Sequence, residues 1–191
     1  MGKLLCAILI LCSMVMAMPA VHGIAESPKD VEKWFESLNH AKEKVTKLHF
    51  YFHDIQSGNN PTSITVAQAN NSLSSPTFFG LINMVDNPLT EGPKLTSKQL
   101  GRAQGIFGAS SMEEQSLFMN INLFFTDGEF NGSTLALLGR NSIVHEYREM
   151  SIVGGSGVFR LARGIATAKT YSINTNLGDA VVEYHVIAIH Y

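Results

Sequence analysis

From Leu48 onward apolar residues tend to fall at every second position. In Leu48-His49-Phe50-Tyr51-Phe52-His53-Asp54-Ile55, an extended chain puts Leu48, Phe50, Phe52 and Asp54 on one face. His49, Tyr51, His53 and Ile55 take the other. Ser63–Gln68, Phe78–Val85, Leu100–Phe107, Ser116–Thr126, Ser133–Leu138, Arg148–Val153, Val158–Thr170 and Ala180–His190 read as further strands. Turn chemistry separates them: Ser57 to Pro61, the polar stretch Asn70 to Pro76, and Asp86 to Ser97 with two prolines and a glycine. Asp-Gly and Asn-Gly pairs mark Thr126 to Gly132, and Asn174 to Asp179 joins the last two strands. Gly101, Gly105 and Gly108 predict bulges or bends in the strand that holds them. No helical pattern separates these segments, so a parallel βαβ arrangement is disfavoured. About eight strands with short turns predict an antiparallel meander, and closing it into a barrel removes its edges. The expected fold is therefore all-β: an eight-stranded antiparallel up-and-down β-barrel with a central apolar pocket for one small ligand.

The pattern before Leu48 is different. Lys3 precedes an unbroken apolar run, Leu4 to Met18, too short for a bilayer core that needs about 20 residues. With small residues around Val21-His22-Gly23, residues 1–23 read as a secretory signal peptide cleaved near Gly23. Val31, Trp34, Phe35, Leu38 and Val45 recur at roughly helical spacing, so 24–46 is expected to be an arm or short helix, with the helix spanning at most Pro28 to Lys47. Residues 47–191 form the single domain.

Composition narrows the picture. Of 191 residues 45% are hydrophobic and 16% charged, which suits one domain with a substantial core. The net charge of −2 offers no basic excess for phosphates, so nucleic acid is not an expected partner. No second apolar run is long enough to span a membrane. Both cysteines, Cys6 and Cys12, lie in the signal, so the secreted chain must be held by its core or by self-association. Asn70-Asn71-Ser72 and Asn131-Gly132-Ser133 are glycosylation acceptors by pattern, or else unmodified loop asparagines; Asn60-Pro61-Thr62 is excluded by its proline.

Candidate chemistry is sparse. His49 and His53 share a face with four residues of spacing, which separates them by roughly 13 Å along a strand. That is too far for a common ion even with His185 nearby, so no metal is assigned. Gly154-Gly155-Ser156-Gly157 lacks the following helix a phosphate loop requires, and reads as a tight hairpin. Asp54 shares a face with Phe50 and Phe52. If that face is internal, its carboxyl sits in apolar surroundings with a raised pKa and can transfer a proton; otherwise it is a strand-end turn former. Arg148 is either an inward cation that binds a phenolic oxygen or an exposed one paired with Glu149.

Several ordered blocks carry a resemblance. They are Phe50-Tyr51-Phe52-His53-Asp54-Ile55, Gly101-Arg102-Ala103-Gln104-Gly105, Phe130-Asn131-Gly132-Ser133-Thr134, Arg148-Glu149-Met150-Ser151-Ile152-Val153-Gly154-Gly155-Ser156-Gly157, Phe159-Arg160-Leu161-Ala162-Arg163-Gly164 and Ala180-Val181-Val182-Glu183-Tyr184. From Leu48 to Tyr191 the chain resembles the plant dirigent proteins. That resemblance implies a secreted, apoplastic, often glycosylated barrel that assembles as a trimer or dimer and carries no cofactor of its own. A separate laccase or peroxidase oxidises a phenol such as coniferyl alcohol. The dirigent protein then orients the phenoxy radicals, or the quinone methide formed from them, so that one stereoisomer of the lignan results. Other members act as lyases that close a ring through a quinone methide, as in pterocarpan formation. A cell-wall or defence-related binding role is the third possibility. The resemblance assigns proton transfer and substrate fixation to Asp54 and Arg148, and pocket lining to Phe50, Phe52, Asn141 and Tyr184. Asn141 stands where lignan-forming members carry a second carboxylate; Gly139-Arg140-Asn141 with Arg148-Glu149-Met150 is closer to the branch that includes pterocarpan-forming members. An amide can hydrogen-bond a phenol but cannot exchange a proton as a carboxyl does.

Overall fold

Alternation sets the strands. The computed structural model describes residues 27–191, so the signal reading of 1–23 lies outside the described residues. Helix α1 spans Pro28–Ser37. The Oγ of Ser27 accepts from the Asp30 N–H at 3.3 Å, and Pro28 occupies a first-turn position where no N–H is needed. A turn of 3₁₀ helix, Leu38–His40, ends it. The helix is thus a short one within the Pro28 to Lys47 bound, and Lys44 to Lys47 already pair as strand with His190 to Ile187. None of the helix side chains is buried; the Arg160 guanidinium lies over the Trp34 ring at 5.1 Å.

Nine strands follow: β1 Lys44–Asp54, β2 Ser63–Ala67, β3 Ile82–Thr90, β4 Gln99–Ala109, β5 Ser116–Phe125, β6 Thr134–Ser142, β7 Arg148–Ser156, β8 Arg163–Asn174 and β9 Asp179–His190. All the registered pairings are antiparallel. The order is β1-β9-β8-β7-β6-β5-β4-β3-β2, and β1 also pairs with β3. Eight strands therefore close a barrel, with β2 alongside β3. The ladder between β1 and β9 runs over the full length of β1, whereas the closing pairs of β1 with β3 are Tyr51↔Thr90 and Phe52↔Leu89.

Three expected boundaries move. Phe78 to Leu81 is turn, since Phe78 (φ 58°) and Gly80 (φ 88°) have left-handed backbone. Asp86 to Thr90, expected as loop, belongs to β3 despite Pro88. The Asp86 N–H donates towards β2, to Thr62 O at 2.8 Å. Two residues on, the Pro88 nitrogen faces the same way, beyond the last β2 pair and the last registered β1 pair, where no ladder donor is required. Finally, Gly154 to Ser156 are strand, and the turn is Gly157–Phe159, so β8 starts at Arg163 rather than Val158. Gly155 is required there because a Cβ would lie 2.5 Å from both the Thr134 and Phe159 carbonyl oxygens. The bulge expected around Gly101 falls between β3 and β4, at Leu89/Thr90; opposite β5 the register through Gly101, Gly105 and Gly108 is unbroken.

The inward face of the barrel is the core. Phe50, Leu89, Ile121, Leu123, Leu135, Leu137, Met150, Phe159 and Val186 are almost wholly buried. Ala103, Ala166, Ala168 and Ala188 stand among them at no exposure, which leaves room for rings from neighbouring strands.

Candidate functional site

One row of the barrel brings the candidate residues together. Register places Arg148 of β7 opposite Ala168 of β8, Ala168 opposite Tyr184 of β9, and Tyr184 opposite Phe50 of β1. Residues in one row share a face, and all four are buried. Ala168 is only a methyl, so the guanidinium and the phenol face each other across it. The Phe50 and Tyr184 rings stack at 5.6 Å and 11°, and Phe52 lies tilted on Tyr184 at 5.8 Å. Such pairs contribute about 0.5–1.5 kcal/mol beyond area burial.

Arg148 is 5% exposed, on the face opposite the exposed Glu149, which settles the sequence alternatives in favour of an inward cation. Its Nε donates to Asn141 Oδ1 at 3.1 Å, and its Nη1 reaches the His145 carbonyl at 3.5 Å. Both acceptors are neutral. Burial accordingly lowers its pKa, and the nearby Tyr184 opposes that shift. Burial pushes the Tyr184 phenol up to about 12; the Arg148 charge pulls against this rise and the Asp54 charge adds to it. The phenol therefore stays protonated at neutral pH, between a cation and an acid.

Asp54 ends β1, four residues and two pleats above Phe50 on the same face. Asn87 Nδ2 and Gln56 Nε2 each donate to its carboxylate at 3.2 Å. Burial raises its pKa, outweighing the hydrogen bonds from Gln56, Asn87 and Ser63; the Asp179 charge raises it further. Asp54 is thus both a strand-end residue and a partly desolvated acid. A cavity of about 280 Å³ opens beside it, lined by His53, Asp54, Leu95, Ile173, Ala180 and Val181 among others. A second, of about 210 Å³, lies against Leu48, Phe50, Leu100, Phe125 and Phe130. Phe52 stands on β1 between the two sets, so the two described cavities flank the place where the sequence reading put one central pocket.

Asn87 was hidden from sequence reasoning inside a supposed loop. It is fully buried, accepts from Thr62 Oγ1 at 2.5 Å and holds Asp54. Continuing the Phe52↔Leu89 register by two residues sets Asn87 opposite Asp54. His53, weighed with His49 as a metal ligand and set aside, is buried against Thr90 Oγ1 at 2.6 Å, and burial lowers its pKa.

Asn70 and Asn131 are exposed in turns, as a glycan requires. The serines two residues on have a structural use of their own. Ser72 is buried, accepting from the Ala69 N–H and donating to Phe79 O; Ser133 is buried and accepts from the Val158 N–H.

Comparison with known proteins adds the decisive observation. The family model described as Dirigent-like protein matches residues 45–189. The chain belongs to the dirigent family. It is 55% identical to dirigent protein 11 of Arabidopsis thaliana over 148 residues, 78% of this chain and 76% of that one. It is 50% identical to pterocarpan synthase 1 of Glycyrrhiza echinata over 155 residues, 81% and 82% of the two chains. The solved structure of the pterocarpan synthase dirigent protein GePTS1 superposes with a TM-score of 0.74 at 51% identity, covering 79% of this chain and 87% of that one. The eight-stranded barrel is thus the dirigent barrel, and phenolic small molecules are the ligand class of the family.

Proposed function

We propose that this dirigent protein binds a phenolic alcohol and directs its conversion, through a quinone methide, to one stereoisomer of a ring-closed product. The observation that carries the reading is a desolvated acid beside the cavity, its neighbour Asp179 being committed to Ser57 and Gln56, whose hydrogen bonds lower its pKa. Asp54 has a raised pKa, while the position of the second carboxylate is the amide Asn141, committed to Arg148. One carboxyl suffices for a dehydrative closure. Protonated Asp54 gives its proton to the departing hydroxyl, the C–O bond breaks, water leaves, and the conjugated phenol releases its proton to solvent to give the neutral quinone methide. A second phenolic oxygen attacks the quinone methide carbon, a C–O bond forms, that oxygen's proton returns to the Asp54 carboxylate, and the regenerated phenolate takes a proton back from solvent. The net change is loss of one water. Arg148 faces the oxygen that gathers negative charge, and the Phe50, Phe52 and Tyr184 rings hold one face of the substrate. A preference of about 1.4 kcal/mol for one face already gives tenfold enrichment.

The second reading is stereo-directed coupling of phenoxy radicals to optically active lignans, with a laccase or peroxidase as partner. The stacked Phe50–Tyr184 wall favours it, since coupling is selected by orientation. The chain is further proposed to be a secreted, apoplastic homo-oligomer, most simply a trimer. Ile64, Val66 and Met84, each about half exposed on β2 and β3, are the kind of outer surface that self-association covers. Chiral chromatography of products from a panel of phenols, with and without laccase, tests both readings. Ring closure proceeds without the oxidant and coupling requires it; unchanged, racemic product in both arms overturns the two together.

A further inference from the structure

Outside the barrel, β1 and β9 carry a square of chemistry-bearing side chains that the interior site does not use. Register sets His49 directly opposite His185 and Tyr51 directly opposite Glu183. The two imidazoles stack at 4.4 Å with 25° between their planes. Both Nε2 atoms converge on one carboxylate oxygen: Glu183 Oε1 lies 2.7 Å from that of His49 and 3.5 Å from that of His185. The Tyr51 hydroxyl donates to the same oxygen at 3.4 Å. One ligand atom from each of His49, Glu183 and His185 lies within 4.8 Å of the others. Counting along one strand paired His49 with His53 and dismissed a shared ion. The barrel instead sends His53 to Thr90 and brings His185 across the ladder.

We propose that His49, Glu183 and His185 form a surface site for a divalent first-row transition ion, with Zn²⁺ as the fitting probe. Two imidazole nitrogens and one carboxylate oxygen are the donors that such ions prefer over Mg²⁺ or Ca²⁺. Tetrahedral bonds of about 2.1 Å place neighbouring ligand atoms about 3.4 Å apart. The present distances bracket that value, and the side chains that must adjust are 44%, 25% and 62% exposed, so they are able to turn. The strands fix the two Cβ positions of the histidine pair, which limits the ordering cost of binding. Three protein ligands leave the fourth position to water.

The experiment is equilibrium dialysis of the full chain against Zn²⁺ in chelator-treated buffer, with thermal melts alongside. We expect one ion per chain at pH 7.5, a melting temperature raised by Zn²⁺, and no displacement by excess Mg²⁺. His49→Ala and His185→Ala should each weaken uptake roughly tenfold or more, with melts in the absence of metal close to the parent's because both side chains are exposed. His145→Ala is the control: His145 also faces a carboxylate, Glu114, at 3.4 Å, but among the described residues it belongs to no group of three metal-ligating side chains. Absence of stoichiometric uptake by the parent, or uptake unchanged in both His49→Ala and His185→Ala, overturns the site. Product chirality tests the interior Asp54 reading separately and is not at issue in either result.

Discussion

Asn141→Asp installs a carboxylate against a buried guanidinium that has only neutral acceptors. The present Arg148 Nε to Asn141 Oδ1 distance is 3.1 Å. At that separation, an effective dielectric constant of about 20 gives an attraction of about 5 kcal/mol. Against it stand loss of the existing charged hydrogen bond, about 2 kcal/mol, and several kcal/mol for desolvating the new carboxylate. These terms nearly cancel, so the net effect at pH 7 is within about 1 kcal/mol of zero. The pH dependence is sharper than the magnitude. A carboxyl paired with Arg148 has a folded pKa below the ordinary value of about 3.9. Its contribution is therefore present above that value and lost as pH falls through the depressed one. Urea denaturation of parent and variant at pH 7 and pH 3 reads the difference directly, and the variant's stability relative to the parent should be lower at pH 3 than at pH 7. If its relative stability instead rises on acidification, the new acid is buried and unpaired, and the placement of Arg148 against position 141 is wrong. The variant should also bind phenolic ligands less tightly, since the cation facing them is neutralised.

Asp54→Asn should abolish stereoselective product while raising stability at neutral pH. The raised folded pKa of Asp54 means that its stability contribution falls as pH rises through it, so the gain over the parent fades as pH drops towards the ordinary 3.8. Melts across pH 3 to 7 check this. Ser133→Ala leaves the Val158 N–H without its partner and should cost about 2 kcal/mol in protein made without glycans. Asn131→Gln should cost almost nothing, and equal effects would count against the structural role of the serine. Gly155→Ala forces a Cβ onto two carbonyl oxygens and should lose about 3 kcal/mol in urea titration; wild-type stability would contradict the close approach of β6 and β7.

Alternation along single segments was enough to read the barrel and its inward face, because period two is written into Phe50, Phe52 and their counterparts. What it could not supply was register. Asn141 and Arg148 are seven apart in sequence, yet only the β6–β7 hairpin makes them neighbours. Asn87 was masked by Pro88, whose turn signal is overridden at a place with no ladder partner. The His49–His185 pair depends on strands that are distant in sequence. Asp54 and Arg148, legible from the family resemblance, both bear on the Tyr184 phenol, with opposite sign, a convergence that no spacing contains.

The closure of β1 on β3 through two registered pairs makes the barrel a lapped seam. Below it, Lys44 to Phe50 has β9 on one side and no registered ladder on the other among the described residues. An unpaired edge of that length is a template for foreign strands, and this one carries Lys44 and Lys47, both exposed. A strand docking there would have to set its own backbone beside two lysine stems, so the chain guards against runaway sheet growth at the place where its ring is least complete.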